Sequence, residues 1–393
     1  MNDFDDILKR GIAEIIDESN FSKRLEEGKP LRIKYGVDPT KPDIHLGHMV
    51  QLKKLKKLQE LGHTIIFLIG DYTTKIGDPS GRNSTRPVLS DEEIKTNAET
   101  YFAQISKILD MEKTEVRFNS EWFSKMNFAD ILKLAGKFTV AQIIERDDFA
   151  KRLKEGSDIG LHEILYPLMQ AYDSVELKAD VEFGGSDQKF NMLAGRALQK
   201  KMDQTPQDVV MMDLLVGLDG TNKMSKSLNN YIAITDSPNE MFGKVMSIPD
   251  SLILNYFELC TDVELDAIEM MKKEMAEGKN PRDFKVQLAK LIIETYHDAK
   301  KASEAEEEFK KVFTDKQLPS EMPEKKIAAS EMNIVDLLVE LELSTSKSEA
   351  RRLVEQGGVE VAGSRIQDPT ELVQISDGLV IRAGKLKFMK VVK

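Results

Sequence analysis

Two histidines one helical turn apart, and two lysines three residues apart, are the side chains of this chain best suited to polyphosphate chemistry. His45-Leu46-Gly47-His48 comes after a strand-like run and opens a helical pattern. Free N–H groups and the dipole at a helix start attract anions, and imidazoles placed there can donate hydrogen bonds as charge develops on phosphate oxygens. Gly47 removes a side chain where a flat base could press on the backbone. Lys223-Met224-Ser225-Lys226-Ser227 lies downstream in a Gly/Asn-rich loop. Its two ammonium groups act as mobile point charges that can reach one phosphate chain, and its hydroxyls add donors. Taken singly, the first motif could be two surface histidines and the second a solvated basic loop. In this order, with Asp38-Pro39-Thr40 just ahead of the first, they point to ATP bound at a sheet edge and attacked at its α-phosphate.

Three further constellations share this logic. Gly77-Asp78-Pro79-Ser80-Gly81-Arg82 follows an apolar strand, and Gly184-Gly185-Ser186-Asp187-Gln188 follows another. Each sets a carboxylate at the carboxyl end of a strand, where open α/β sheets bind ligands. Arg82 and Arg86 could meet phosphates. Read structurally, the first would be a plain turn and the second a helix entry. Tyr166, Gln170 and Asp173 fall at i, i+4 and i+7, on one helix face, and suit a small ligand carrying an amine or hydroxyl. The chain has no G-x-x-x-x-G-K-[ST] and no strand-linked G-x-G-x-x-G, which argues against a P-loop NTPase and against dinucleotide binding. With five histidines and one cysteine, Cys260, a zinc site is not expected.

The elements that must carry these residues read as an α/β fold. Leu31–Val37 alternates as a half-buried strand does. Helical periodicity then runs from His45 to near Gly62, and Thr64–Ile69 is a continuous apolar run typical of a buried parallel strand. Val181–Phe183 and Asp208–Met212 read as further strands, and the stretch from roughly 90 to 175 as a helical insertion. Ser237-Pro238-Asn239-Glu240 is a helix start, and Asn280-Pro281-Arg282-Asp283 opens another whose periodicity runs on to about 313. Residues 315–331 read as a linker. Near the end come two helices, Ile334–Leu341 and Lys347–Gln356, and then short β runs. The expected layout is a Rossmann-like parallel-sheet domain (1–235), an all-α domain (236–314) and a small α+β unit (332–393).

A length of 393 residues suits two or three domains. A net charge of −11 argues against a general polyanion binder. The last unit nonetheless balances nine basic against nine acidic residues from 335 onward, and has no acid after Arg382. No apolar run approaches a membrane span, and the acidic start lacks a signal-peptide pattern. A cytoplasmic location with no membrane association is the expectation.

Together these motifs resemble the bacterial-type tyrosyl-tRNA synthetases of class I, over essentially the whole chain. The segment Ser346–Gly358 resembles an S4-type RNA-binding domain, and the helix around Leu288, His297 and Phe309 the family's helical anticodon domain. The resemblance implies activation of L-tyrosine by ATP with Mg2+, no protein metal site and no zinc, followed by transfer to the 3′ end of tRNA(Tyr) by a homodimer. Thr40, His45, Arg82, Arg86, Lys223 and Lys226 would serve the phosphates. Asp38, Gly47, His48, Gly185, Asp187 and Ser227 would serve the nucleotide, and Gln188 the reacting carboxylate. Asp78, Tyr166 and Gln170 would hold the ammonium group and Asp173 the phenol, with Asn119 and Trp122 near that pocket. Lys347, Ser348, Arg351 and Arg352 would meet RNA.

One position departs from the family. Where well-known members carry a tyrosine four residues before the aspartate of the Asp-Pro-Thr loop, this chain has Lys34, with Tyr35 on the opposite strand face. The phenol would then rest on Asp173 with another partner, a water or Lys34. A tryptophanyl-tRNA synthetase should lack the tail and the Tyr166/Gln170/Asp173 set. A small nucleotidyltransferase would need neither the helical unit nor the tail. An RNA-binding protein would not need an intact lysine loop.

Overall fold

The computed structural model describes residues 3–40, 44–79, 89–106, 108–315, 317–318, 322–384 and 387–393. The chain forms two compact units, Met1–Ser237 with Lys244–Tyr296, and Pro238–Gly243 with His297–Lys393.

In the first unit the strands are β1 (Ile12–Ile16), β2 (Arg32–Val37), β3 (Thr64–Ile69), β4 (Thr114–Phe118), β5 (Val181–Gly185) and β6 (Asp208–Met212). They form one sheet in the order β1-β6-β5-β2-β3-β4, parallel except for β1. β5 and β6 are buried along their whole length, as apolar runs in a covered parallel sheet must be. β2, which the Leu31–Val37 alternation predicts as a half-buried strand, lies inside the sheet between β5 and β3 with Ile33, Lys34 and Tyr35 buried, and the Leu46–Glu60 helix joins it to β3.

Two strands escape the sequence reading. β1 is a short antiparallel edge with a bulge, and its outward residues blur any alternation. β4 sits inside the stretch read as helical, and most of its residues are only half buried. The remainder of that stretch is helical: Asp91–Ile105, Ser120–Phe123, Phe128–Ala135, Val140–Ile144, Asp147–Lys154 and Leu161–Glu176. The Leu161–Glu176 helix packs its Leu168, Ala171 and Val175 on Leu198 of the Lys189–Lys201 helix and on Phe149.

All regular elements described between 238 and 313 are helices. The single periodic run expected after Asn280 is two helices, Pro281–Tyr296 and Ala299–Phe313, divided where Asp298 caps the second by accepting from Lys301 N–H. In the second unit, Ser364–Ile366, Val359–Val361, Val380–Ala383, Lys387–Val392 and Glu324–Lys326 form a five-stranded sheet in that order. Glu324–Lys326, inside the expected linker, pairs in parallel with Lys390–Val392. The Ile334–Glu340 and Lys347–Glu355 helices bury Leu337, Leu338, Ala350 and Val354 with Ile381 and Val391 of that sheet.

Candidate active site

A cleft of about 500 Å³ opens at the carboxyl ends of β2 and β5, within the usual range for small-molecule sites. Its lining gathers most of the residues singled out from sequence: Asp38, Thr40, His45, Gly47, His48, Asp78, Tyr166, Gln170, Asp173, Gly185, Asp187, Gln188, Lys223, Lys226 and Ser227. Arg82 and Arg86 lie outside the described residues, as do Ser80 and Gly81.

The two motifs are stitched together by backbone. Leu46 N–H donates to Ile232 O (3.0 Å), Ile234 N–H to Ile44 O (3.2 Å), and His45 pairs with Ala233. The backbone N–H of His45 donates to His48 Nδ1 (3.3 Å). That nitrogen accepts, so the proton of a neutral His48 sits on Nε2, free to serve a ligand. Burial, with added repulsion from His48 and the two lysines, lowers the His45 pKa to about 2. Burial and the Lys226 charge lower that of His48 to about 3. Both rings are therefore neutral hydrogen-bonding groups across the physiological range. A methyl group on Gly47 would stand 3.1 Å from the His45 ring and 3.6 Å from Met224, which explains the glycine between them.

The lysine loop is anchored at its base and charged at its tip. Asp219 accepts from the side chain of Asn222 (3.0 Å), the N–H groups of Thr221 (3.1 Å) and Asn222 (3.0 Å), and Asn230 Nδ2 (2.9 Å). These donors hold its carboxyl low, at about 2. Asn230 also accepts from Ser225 N–H (2.7 Å), and Met224 is buried. Lys223 Nζ bonds Asp187 Oδ2 (2.5 Å), and Lys226 Nζ lies 5.3 Å from the centre of the Tyr101 ring.

At the buried end stands Asp173. Trp122 Nε1–H donates to its Oδ1 (3.0 Å) and Asn119 Nδ2 to its Oδ2 (3.4 Å). Burial raises its pKa to about 8, against the opposing pull of the Lys34 charge and these two donors. Asn119, expected as a tyrosine contact, stands beside this carboxylate and is not among the residues that line the cleft. It is fully buried, its oxygen accepts from Tyr72 N–H (2.8 Å), and its amide nitrogen is shared with Thr73 Oγ1 (3.0 Å).

Lys34 is buried in the cleft wall and is not available to a phenol. Its three N–H groups go to Glu182 Oε1 (2.8 Å), Ser174 Oγ (2.9 Å) and the Gln170 carbonyl (3.1 Å). The parallel register sets Lys34 directly opposite Glu182. Tyr35 packs on Phe67 instead. Tyr166 OH donates to Asp38 Oδ2 (2.9 Å), which leaves its lone pairs able to accept, and buried Gln170 Oε1 has no partner among the described residues.

Four residues that the sequence reading passed over complete the site: Glu182, Arg146, Asn191 and Asp219. Glu182 sits between apolar neighbours on β5, the one signal that could have marked it as an inward charge. Arg146 and Asn191 carried no local signal.

Adjacent parallel strands, a histidine helix start, a lysine loop on the same cleft and a buried carboxylate at its far end define a class I amino-acid-activating synthetase. Residues 26–314 match the family model for class I tRNA synthetases (W and Y), and 315–391 the SYY-like C-terminal domain of tyrosine–tRNA ligases. The tyrosine–tRNA ligase of Dehalococcoides mccartyi is 51% identical over 393 residues, covering 100% of this chain and 99% of that one. The Thermotoga maritima tyrosine–tRNA ligase is 52% identical, with 98% and 96% covered. A tyrosyl-tRNA synthetase from Archaeoglobus fulgidus, solved with L-tyrosine, superposes with a TM-score of 0.63 at 27% identity over 77% of this chain and 99% of that one. This chain belongs to the bacterial-type tyrosyl-tRNA synthetase family.

Proposed function

We propose that this cleft activates L-tyrosine as its adenylate and that the chain then charges tRNA(Tyr). The observation that carries this reading is the carboxylate of Asp173. It is buried and held from behind by Trp122 and Asn119, with the ammonium-binding set Asp78, Tyr166 and Gln170 and the phosphate-binding set beyond it on the same wall.

In the first step a tyrosine carboxylate oxygen attacks the α-phosphorus of Mg-bound ATP. The bond from that phosphorus to the bridging oxygen breaks, and pyrophosphate leaves with the electron pair and its magnesium. No protein group takes a proton, so catalysis is positioning plus stabilisation of charge on the pentavalent phosphate. Thr40, His45, Lys223 and Lys226, with Arg82 and Arg86, hold the outer phosphates. His48 and Gly47 meet the nucleoside, Gly185 and Asp187 the ribose, and Gln188 the reacting carboxylate. Asp38 supports Tyr166, and Ser227 and Lys226 close the loop over ATP. Lys223 must leave Asp187 for both to act, so ribose binding and loop closure are coupled. In the second step a terminal ribose hydroxyl of the tRNA attacks the acyl carbon, and AMP departs.

Residues 1–235 act as the catalytic domain, 236–314 as an all-α anticodon-recognition domain, and 332–393, after the segment 315–331, as an S4-like RNA-binding domain. Lys347, Ser348, Arg351 and Arg352 are exposed on one helix whose other side buries Ala350 and Val354, which supports an RNA-facing surface. Phe128, Leu132, Val140, Leu153 and Leu161 are large apolar side chains exposed on the insertion, which supports a homodimer formed through it. Among the described residues no helix is long and apolar enough to cross a membrane, in keeping with work in the cytoplasm.

The test is ATP–pyrophosphate exchange with each amino acid in turn. Exchange driven by tyrosine and not by tryptophan is expected, and tryptophan-driven exchange would refute the reading.

A further inference from the structure

We infer that Arg146 and Asn191, which do not line the cleft, are positioning residues that dictate which end of the Gln188 amide faces the substrate. This rests on the assignment of Gln188 to the reacting carboxylate made above. Arg146 stands at the N-cap position of the Asp147–Lys154 helix, makes no capping bond from its side chain, and is buried. Its Nη1 donates to Asn191 Oδ1 (3.2 Å), its Nε to Asp148 Oδ1 (2.7 Å), and its Nη2 lies 3.6 Å from Asp78 Oδ1. The Phe149 ring stacks 5.1 Å from the guanidinium. Asn191, 1% exposed, donates from Nδ2 to Gln188 Oε1 (2.9 Å), and Gln188 Nε2 donates to Asp78 Oδ2 (2.8 Å). The four side chains close a ring.

The polarity of that ring follows from chemistry. An amide presents two ends of nearly equal size, one accepting and one donating, and can be turned either way. A guanidinium only donates. Facing Arg146, Asn191 must turn its oxygen outward, so its NH2 points to Gln188. The Gln188 oxygen is thereby occupied, and its NH2 is the end presented to the cleft. Asp78 favours the same orientation from the other side while its oxygen is available. Once a substrate ammonium engages Asp78, that inner restraint weakens and the outer relay must hold Gln188 alone. A reversed Gln188 would set a carbonyl oxygen against the substrate carboxylate at the moment its own oxygen attacks phosphorus.

The test is Asn191→Asp, which keeps size and still accepts from Arg146 but cannot donate to Gln188. Binding of tyrosine and of tyramine, which lacks the carboxylate, is measured by calorimetry on the full chain beside the exchange rate. The relay predicts that tyrosine binding falls about tenfold or more, and kcat/KM in exchange about a hundredfold, the scale of a lost oxyanion donor. Tyramine binding should stay within about twofold. Asn191→Ala, which removes the relay without adding charge, should show the same selective loss at roughly tenfold in exchange, and decides the matter if Asn191→Asp does not fold. Arg146→Lys, still donor-only, should retain more activity than Arg146→Met. Parallel losses for tyrosine and tyramine, or wild-type exchange in both Asn191 variants, would overturn the relay. Failure of the unaltered chain to bind tyrosine would instead overturn the site assignment beneath it.

Discussion

Asp173 is asked to be an anion in a place that disfavours anions. Burial lifts its pKa to about 8, while Lys34, Asn119 and Trp122 pull it back. A carboxylate that must accept from a phenol binds best when ionised. As pH falls from about 9 to 6, KM for tyrosine should therefore rise, approaching tenfold per unit below 8. Phenylalanine offers no phenol and should show no such limb. The imidazoles of His45 and His48, with pKa values near 2 and 3, stay neutral and add no step in that window. Steady-state exchange across this range checks the claim, and a flat tyrosine profile would contradict it. This residue was legible in sequence because Tyr166, Gln170 and Asp173 share one helix face. The place of Asn119 beside Asp173 was not, since it depends on how β3, β4 and the Leu161–Glu176 helix meet in space.

At the level of elements, the Lys34–Glu182 pair clamps β2, β5 and the Leu161–Glu176 helix into one wall. Glu182 is satisfied further by Ser174 Oγ (3.1 Å) and by Gln207. Removing one partner of a buried pair strands the other charge and costs about 3–5 kcal/mol. Lys34→Met should lose stability on that scale in urea unfolding, and adding Glu182→Gln should recover most of it. No change in Lys34→Met would mean that the pair carries no structural weight. The lysine loop makes a second case. Asp219→Ala removes the hub that gathers its base and should raise KM for ATP roughly tenfold. KM for tyrosine should not move. A rise in both would mean that Asp219 holds the whole cleft, not the loop. β3 and β6 were legible because buried parallel strands are near-continuous apolar runs, β2 because it alternates, and β5 because an apolar pair stands just before Gly184-Gly185. β1 and β4 were not, because edge strands are half exposed. Lys34 read as a polar residue of an alternating strand and a candidate partner of the phenol. Only the register that sets it opposite Glu182 turns that polarity into an internal pair.

For the molecule as a whole, choosing the amino acid is expected of residues 1–235, and holding the RNA of residues 236–314 and 332–393. The tail carries little net charge, so its contribution must come from where the charge lies: Arg351 and Arg352 are exposed while their helix buries Ala350 and Val354. Arg351→Glu with Arg352→Glu should weaken tRNA charging about tenfold or more and flatten its salt dependence by roughly 0.9 for each phosphate no longer neutralised. Tyrosine-dependent exchange should be untouched. Equal loss in both assays would place these residues in the fold of the enzyme as a whole and not at an RNA surface. The functional class was legible over the whole length because its motifs are short and local. Arg146 and Asn191 lie far apart in sequence and become neighbours only when the insertion folds against the Lys189–Lys201 helix.

The most direct measurement of the central claim is exchange kinetics of the unaltered chain and of Asp173→Ala with tyrosine and phenylalanine in parallel. The unaltered chain should strongly prefer tyrosine. In Asp173→Ala, loss of a charged hydrogen bond worth about 1.5–3 kcal/mol should lower kcat/KM for tyrosine roughly ten- to a hundredfold and leave phenylalanine unchanged or improved. An Asp173→Ala enzyme that still prefers tyrosine as strongly as before would contradict the account.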